Sequence, residues 1–186
     1  MTNSTGTDKS ITPRRKPWMQ PEMYTERVHL YNALITPHLD YADVVWGGCG
    51  ATNSNKLQLV QNFAAKSITG NKKRDSATKS LKKLKFLNLK QRRTVHETVF
   101  IHKSLLGINP ANINEDYTQQ KPTGNTRRAQ QGKLNLPTHQ SSKYQNSPFY
   151  RTIKSWNSCP SSLPANNPKT HKIHFQKYLI DRTYKI

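Results

Sequence analysis

Apolar residues in this chain recur at helical spacing only in short runs, and nearly every run is stopped by glycine or proline. After Met23, Val28, Tyr31 and Ile35 fall at i, i+3 and i+7, Leu30 and Leu34 widen the stripe, and Pro37 interrupts it. A second helix is expected over residues 38–46, closed by a left-handed cap at Gly47-Gly48. On it Leu39, Ala42 and Trp46 share one face, and Asp40 and Asp43 lie together one turn apart. A third can be capped by Asn53, Ser54 or Asn55 and carries Leu57, Val60, Ala64 and Ile68 to a stop at Gly70. Asp75 or Ser76 opens a fourth, which turns Ala77, Leu81 and Leu84 inward. A fifth follows Asn88 with Val95, Val99, His102 and Leu106, ending at Gly107. Helices this short gain their stability from packing on one another. The expected fold is therefore mainly α: a small helical bundle or array over residues 23–110, followed by an irregular linker and a C-terminal helical segment.

The flanking regions read differently. Residues 1–22 are polar and proline-punctuated, too poor in apolar area to offset the entropy of ordering, and are expected as a disordered tail. Residues 111–146 lose the periodicity and are expected as a linker, with one short extended segment at KLNLP, 133–137. In the C-terminal segment, 147–186, Ser147 can cap a helix with Pro148 in its first turn, and Phe149, Ile153 and Trp156 repeat at i, i+4 and i+7. A last helix from about Lys169 is expected to bury Ile173 and Leu179, with Phe175 and Tyr178 beside them.

Thirty Lys and Arg against ten Asp and Glu give a formal charge of +20 on 186 residues, which calls for an anionic partner, and nucleic acid is the usual one. The charge is densest where Lys72, Lys73 and Arg74 lead into the fourth helix and Lys79, Lys82 and Lys83 face outward from it. No apolar run approaches the roughly 20 residues of a membrane span, and the first residues carry no apolar leader core. Two cysteines, Cys49 and Cys159, fit two reduced thiols in an intracellular protein better than a disulfide scaffold; nucleus and cytoplasm are not distinguished.

Catalytic motifs fail one by one. Tyr41-Ala42-Asp43 echoes the Y-x-D-D signature of polymerases, but Val44 stands at the second aspartate and the context is helical, whereas two-metal chemistry needs converging carboxylates. Asp40 and Asp43 are expected as surface residues near a helix cap. His171 and His174 could share one helix face, but a zinc site wants four ligands and the chain offers only Cys49 and Cys159 beside them; buried thiols and solvated histidines are the expected reading. No metal or other cofactor is implied. Tyr31, Tyr41, Trp46, Phe149 and Trp156 are expected in the core rather than as base-stacking platforms. The paired strings ITGNKKR and PTGNTRR share a T-G-N step that could form an anion nest, but the first reads as a helix C-cap and the second as a chance similarity.

Taken in order, LYNALITPHLDYADVVWGGC, LQLVQNFAAKSITG, SLKKLKFLNLKQRR, HKSLLGINP and SPFYRTIKSWNSCPSSLP resemble the region after the palm in jockey-like non-LTR retrotransposon reverse transcriptases. The resemblance runs from about residue 24 to 180. It implies the thumb and following tail of an RNA-directed DNA polymerase, whose metal-binding palm would lie upstream of the block at Leu30 and does not fit before Met23. Cys159 stands where the family's WNSLP-type motif commonly has leucine. The implied function is non-catalytic binding of a template–primer backbone, RNA or an RNA–DNA hybrid, with a palm-containing polymerase chain as a possible partner and no membrane. The alternative is a decayed retroelement fragment with no selected role. Candidate backbone contacts are Lys66, Lys72, Lys73, Arg74, Lys79, Lys82, Lys83, Arg92 and Arg93, with Arg127 and Arg128 as a second cluster.

Overall fold

Pro37 and Ala42 decide how the chain enters its core. The computed structural model describes residues 22–138, 141–161 and 167–184; the expected tail over 1–22 lies outside these, apart from Glu22. The first helix, α1 (Glu22–Leu30), passes into a π-helical turn (Tyr31–Ile35) and then α2 (Thr36–Asp40), with Pro37 in its first turn where no N–H is required. The expected helix over 38–46 does not run through. Ala42 takes a left-handed φ of +49°, ends α2, and starts a separate one-turn α3 (Asp43–Trp46). Trp46 Nε1 donates back to the Tyr41 carbonyl and closes the corner. Tyr41 is turned out to 80 % exposure instead of joining the core.

The glycines after α3 serve close approach rather than a left-handed cap. Gly47 has a right-handed φ of −59°. A Cβ on Gly48 would fall 2.3 Å from the Asn146 carbonyl oxygen and 2.5 Å from Arg151 Nη1, so only glycine lets this turn sit against the later chain. Next comes α4 (Ala51–Thr69), capped by Gly50 rather than by Asn53, Ser54 or Asn55, and it does end at Gly70 in a left-handed conformation of φ +72°. Its buried face is Gln61, Ala64, Ala65 and Ile68, so Val60, expected in the stripe, faces outward. Gln61 can be buried because its Nε2 donates to the Leu87 carbonyl.

The next two helices follow the sequence closely. α5 (Ala77–Leu84) starts after Ser76 and buries Leu81, and α6 (Leu89–Leu105) opens with a capping box between Asn88 and Gln91. α6 is the centre of the molecule, packed against α3, α4 and three later helices: α7 (Ala111–Thr118), α10 (Pro148–Asn157) and α11 (Pro168–Tyr184). Short turns α8 (Arg127–Gln130) and α9 (Ser142–Gln145) lie between. Among the described residues there is no strand, and the protein is a mainly α array.

Two cores form along α6. Val95 packs with Leu87, Cys159 and Phe175, while Ile101 packs with Tyr117, Leu134 and Ile153. The second cluster corrects the linker expectation: Tyr117 and Leu134, inside 111–146, are among the most buried side chains of the chain. Residues 133–137 form no strand; the Asn135 N–H donates to the Gln120 carbonyl at 2.7 Å, and Leu134 pairs with a side chain. Asn157 Oδ1 accepts from the Leu134 N–H and its Nδ2 donates to the Leu134 carbonyl, both at 2.9 Å. The remaining helices form a third core, with Tyr31, Ala64 and Ile68 at its heart and Phe86 stacked on Tyr31.

Helix rotation changes two other expectations. α11 directs His171, Phe175 and Tyr184 inward and leaves Ile173 63 % exposed. On α6, Leu106 beyond the last turn is exposed while Thr98 and Ile101 are buried. Cys49 and Cys159 are free thiols, and among the described residues no helix is long and apolar enough to cross a membrane.

Candidate nucleic-acid interface

The cationic surface follows from how α5 is anchored. Ser80 and Leu81 are buried, with Ser80 Oγ accepting from Thr69 Oγ1 and Asn71 Nδ2, so that the T-G-N step at 69–71 is a helix end locked onto α5. Fixing that face leaves Lys79, Lys82 and Lys83 exposed on the other. Lys72, Lys73 and Arg74 are exposed in the preceding turn. Its shape is held by Asp75 Oδ2 accepting from the Lys72 N–H and by Lys66 Nζ donating to the Lys73 carbonyl. Lys83 Nζ also lies 5.8 Å from the centre of the Tyr24 ring. Asp75 is the only acid between residues 66 and 90, so one negative charge stands among many positive ones here.

Arg92 and Arg93 do not belong to this surface. Arg92 sends Nε and Nη2 to the two carboxylate oxygens of Asp40, each at 2.6 Å, and Arg93 is buried with its guanidinium 4.6 Å from the Trp46 ring centre and Nη1 donating to Ser54. Burial works to lower the Arg92 pKa, but the Asp40 hydrogen bonds and charge, aided by Tyr31 and Asp43, outweigh it and hold the pKa above its ordinary value. Both arginines therefore act as internal ties between α6 and the α2–α3 corner. Arg127 and Arg128 are exposed on α8, which is followed by Gly132, whose carbonyl accepts from Trp156 Nε1. The turn that carries them is tied to α10 through Trp156.

The α2–α3 corner answers the polymerase echo. Asp43, expected on the surface, is only 3 % exposed, and its Oδ2 accepts from His96 Nδ1 at 2.6 Å. Asp40, Asp43 and His96 present oxygen and nitrogen atoms within 4.8 Å of one another, the distance a metal ion would require. Yet both Asp40 oxygens face a guanidinium, and an ion here would stand beside the positive charge of Arg92. Next to it Arg151 completes the internal network, with Nη2 donating to Glu97 Oε1 at 2.9 Å and to the Val44 carbonyl at 2.8 Å. The corner is a structural joint made of opposite charges.

Cys49, Cys159, His171 and His174 do not form a ligand set among the described residues. Cys159 lies beside His171 at one cavity, but burial pushes its thiol up to about 12, with Lys133 opposing, so it stays protonated and inert. Sequence reasoning missed Asp40, Asp43, His96, Glu97 and Arg151 as a network. The available signal was matched spacing: Asp40 and Asp43 one turn apart, and Arg92 and His96 one turn apart on α6.

No protein family, no curated protein and no solved structure matches the chain.

Proposed function

We propose that the chain is the non-catalytic C-terminal part of a non-LTR retrotransposon reverse transcriptase, an RNA-directed DNA polymerase, and that its α5 face grips the sugar–phosphate backbone of a template–primer. The observation that carries this reading is the run of exposed cations on one helix and its leading turn, Lys72, Lys73, Arg74, Lys79, Lys82 and Lys83, six positive charges around the single acid Asp75 and none of them in a side-chain ion pair among the described residues. Lysines on a helix meet phosphates without reading bases, which suits recognition of an A-form duplex by shape. The internal pairing of Asp40 and Asp43 supports a role without chemistry of its own. A partner palm chain would supply the carboxylates.

A second reading, a decayed fragment with no selected role, is favoured by apolar side chains left in solvent, among them Leu34 and Phe63. Fluorescence anisotropy of a labelled RNA–DNA hybrid across a salt series separates the two. A working grip with six phosphate contacts loses about a thousandfold in affinity between about 50 and about 200 mM salt, and changing Lys79, Lys82 and Lys83 to Gln flattens that slope. Weak binding that ignores the substitutions rejects the grip.

A further inference from the structure

Between α1 with its π-helical turn and the outer face of α4 runs an apolar trough of about 620 Å³. Its walls are Leu30 and Leu34 on one side and Val60 and Phe63 on the other; Leu34 and Phe63 are 63 % and 67 % exposed. Single exposed apolar residues are ordinary, but a contiguous set lining one groove marks a surface that another molecule covers. The floor includes Ala64, Ser67 and Gly70, small residues that let a backbone approach closely. One wall is a π-helical turn, a form that recurs at functional positions.

The rim tells what covers it. Arg27 also lines it, its Nη1 donating to the Ser67 carbonyl on α4 at 3.3 Å, and a smaller hollow sharing Phe63, Ser67 and Asn71 extends the trough to Lys66 and Lys73. A second copy of a chain carrying +20 would bring like charge against these cations. A nucleic acid would match the rim but not the apolar walls. We infer that the trough is a docking groove for an amphipathic helix of a partner polypeptide, seated by apolar side chains at i, i+3, i+4 and i+7 and flanked by acidic residues. This surface shares Lys73 with the proposed grip but none of Lys79, Lys82 and Lys83, and it stands whether or not that face grips a duplex.

The test uses the full chain and three labelled synthetic helical peptides of about 18 residues, a length of about five helical turns. One has leucines at the stated spacing with glutamates between them; one replaces the glutamates by lysines; one scrambles the first. The acidic periodic peptide is expected to bind at least tenfold tighter than either control. Leu34→Ser with Phe63→Ser is expected to weaken it at least tenfold, and Lys66→Gln with Lys73→Gln to weaken it and reduce its salt dependence. Lys79→Gln, Lys82→Gln and Lys83→Gln together leave it unchanged while lowering duplex binding, so the groove and the grip fail separately. Thermal melts of each variant check that these surface substitutions leave the fold intact. Equal binding of periodic and scrambled peptides, indifference to the Leu34 and Phe63 changes, or self-association of the chain that those changes abolish would each overturn the inference.

Discussion

Asp40 and Arg92, 52 residues apart in sequence, meet in a two-pronged ion pair with both N–O distances at 2.6 Å. The two side chains are 24 % and 21 % exposed, so the pair is partly screened by solvent. Removing one partner leaves the other half-buried without its mate. Arg92→Gln and Asp40→Asn are each expected to lower stability by about 1–2 kcal/mol in urea unfolding, below the cost of breaking a fully buried pair. A double-mutant cycle should return a coupling of about 1 kcal/mol, and Arg92→Lys should not rescue, because an ammonium cannot reproduce the fork. Duplex affinity should be lost with Lys79, Lys82 and Lys83 and spared with Arg92.

The corner between α2 and α3 bends at an alanine in the left-handed region, where a β-carbon is crowded. Ala42→Gly is expected to raise stability by about 0.5–1 kcal/mol. Gly48→Ala should do the reverse and more, since the new methyl would meet the Asn146 carbonyl oxygen. The paired denaturation midpoints check both signs at once.

Leu134 separates a linker from a core. If residues 111–146 merely tethered two helical units, its truncation would be nearly silent. Buried beside Ile101, Tyr117 and Ile153, Leu134→Ala is expected to cost about 2–4 kcal/mol. Tyr117→Phe should cost about 1 kcal/mol by removing its hydrogen bond to Thr152 Oγ1, measured by the same unfolding assay.

The two thiols should report burial directly. At pH 8, a disulfide-exchange reagent is expected to titrate the half-buried Cys49 in the folded protein and to reach Cys159 only after denaturation. Because burial raises the Cys159 thiol from 9.0 to about 12, the folded state holds this proton more tightly than the unfolded chain. That stabilisation is complete below about pH 9 and is lost as pH climbs towards 12; burial raises the hydroxyls of Tyr117 and Tyr184 in the same direction. Unfolding midpoints measured across this alkaline range should fall steadily.

Much of the helical array was legible because capping and stop signals are local: Asn88 with Gln91, Ser147 before Pro148, and Gly70 each act within one turn. The left-handed Ala42 was not, since nothing in its neighbours demands the turn that docking on α6 requires. Periodicity also cannot say which of two adjacent stripes faces the core, and so Val60 and Ile173 were assigned inward while Gln61 and His171 hold those places. Leu134 was hidden in polar sequence because a single side chain, Asn157, supplies the pairing that a strand would have given. The basic run at 72–83 was visible as charge alone; only the fold tells its free lysines from the arginines consumed inside.

The central placement of α6 sets an order of events during synthesis. Its contacts with α3 and α4 can form as soon as it leaves the ribosome, but α10 and α11, which cover two of its faces, are still untranslated. Val95 and Ile101 must wait for partners encoded dozens of residues later. A nascent chain halted in this interval would present its central helix half dressed, a state that chaperones recognise and proteases exploit.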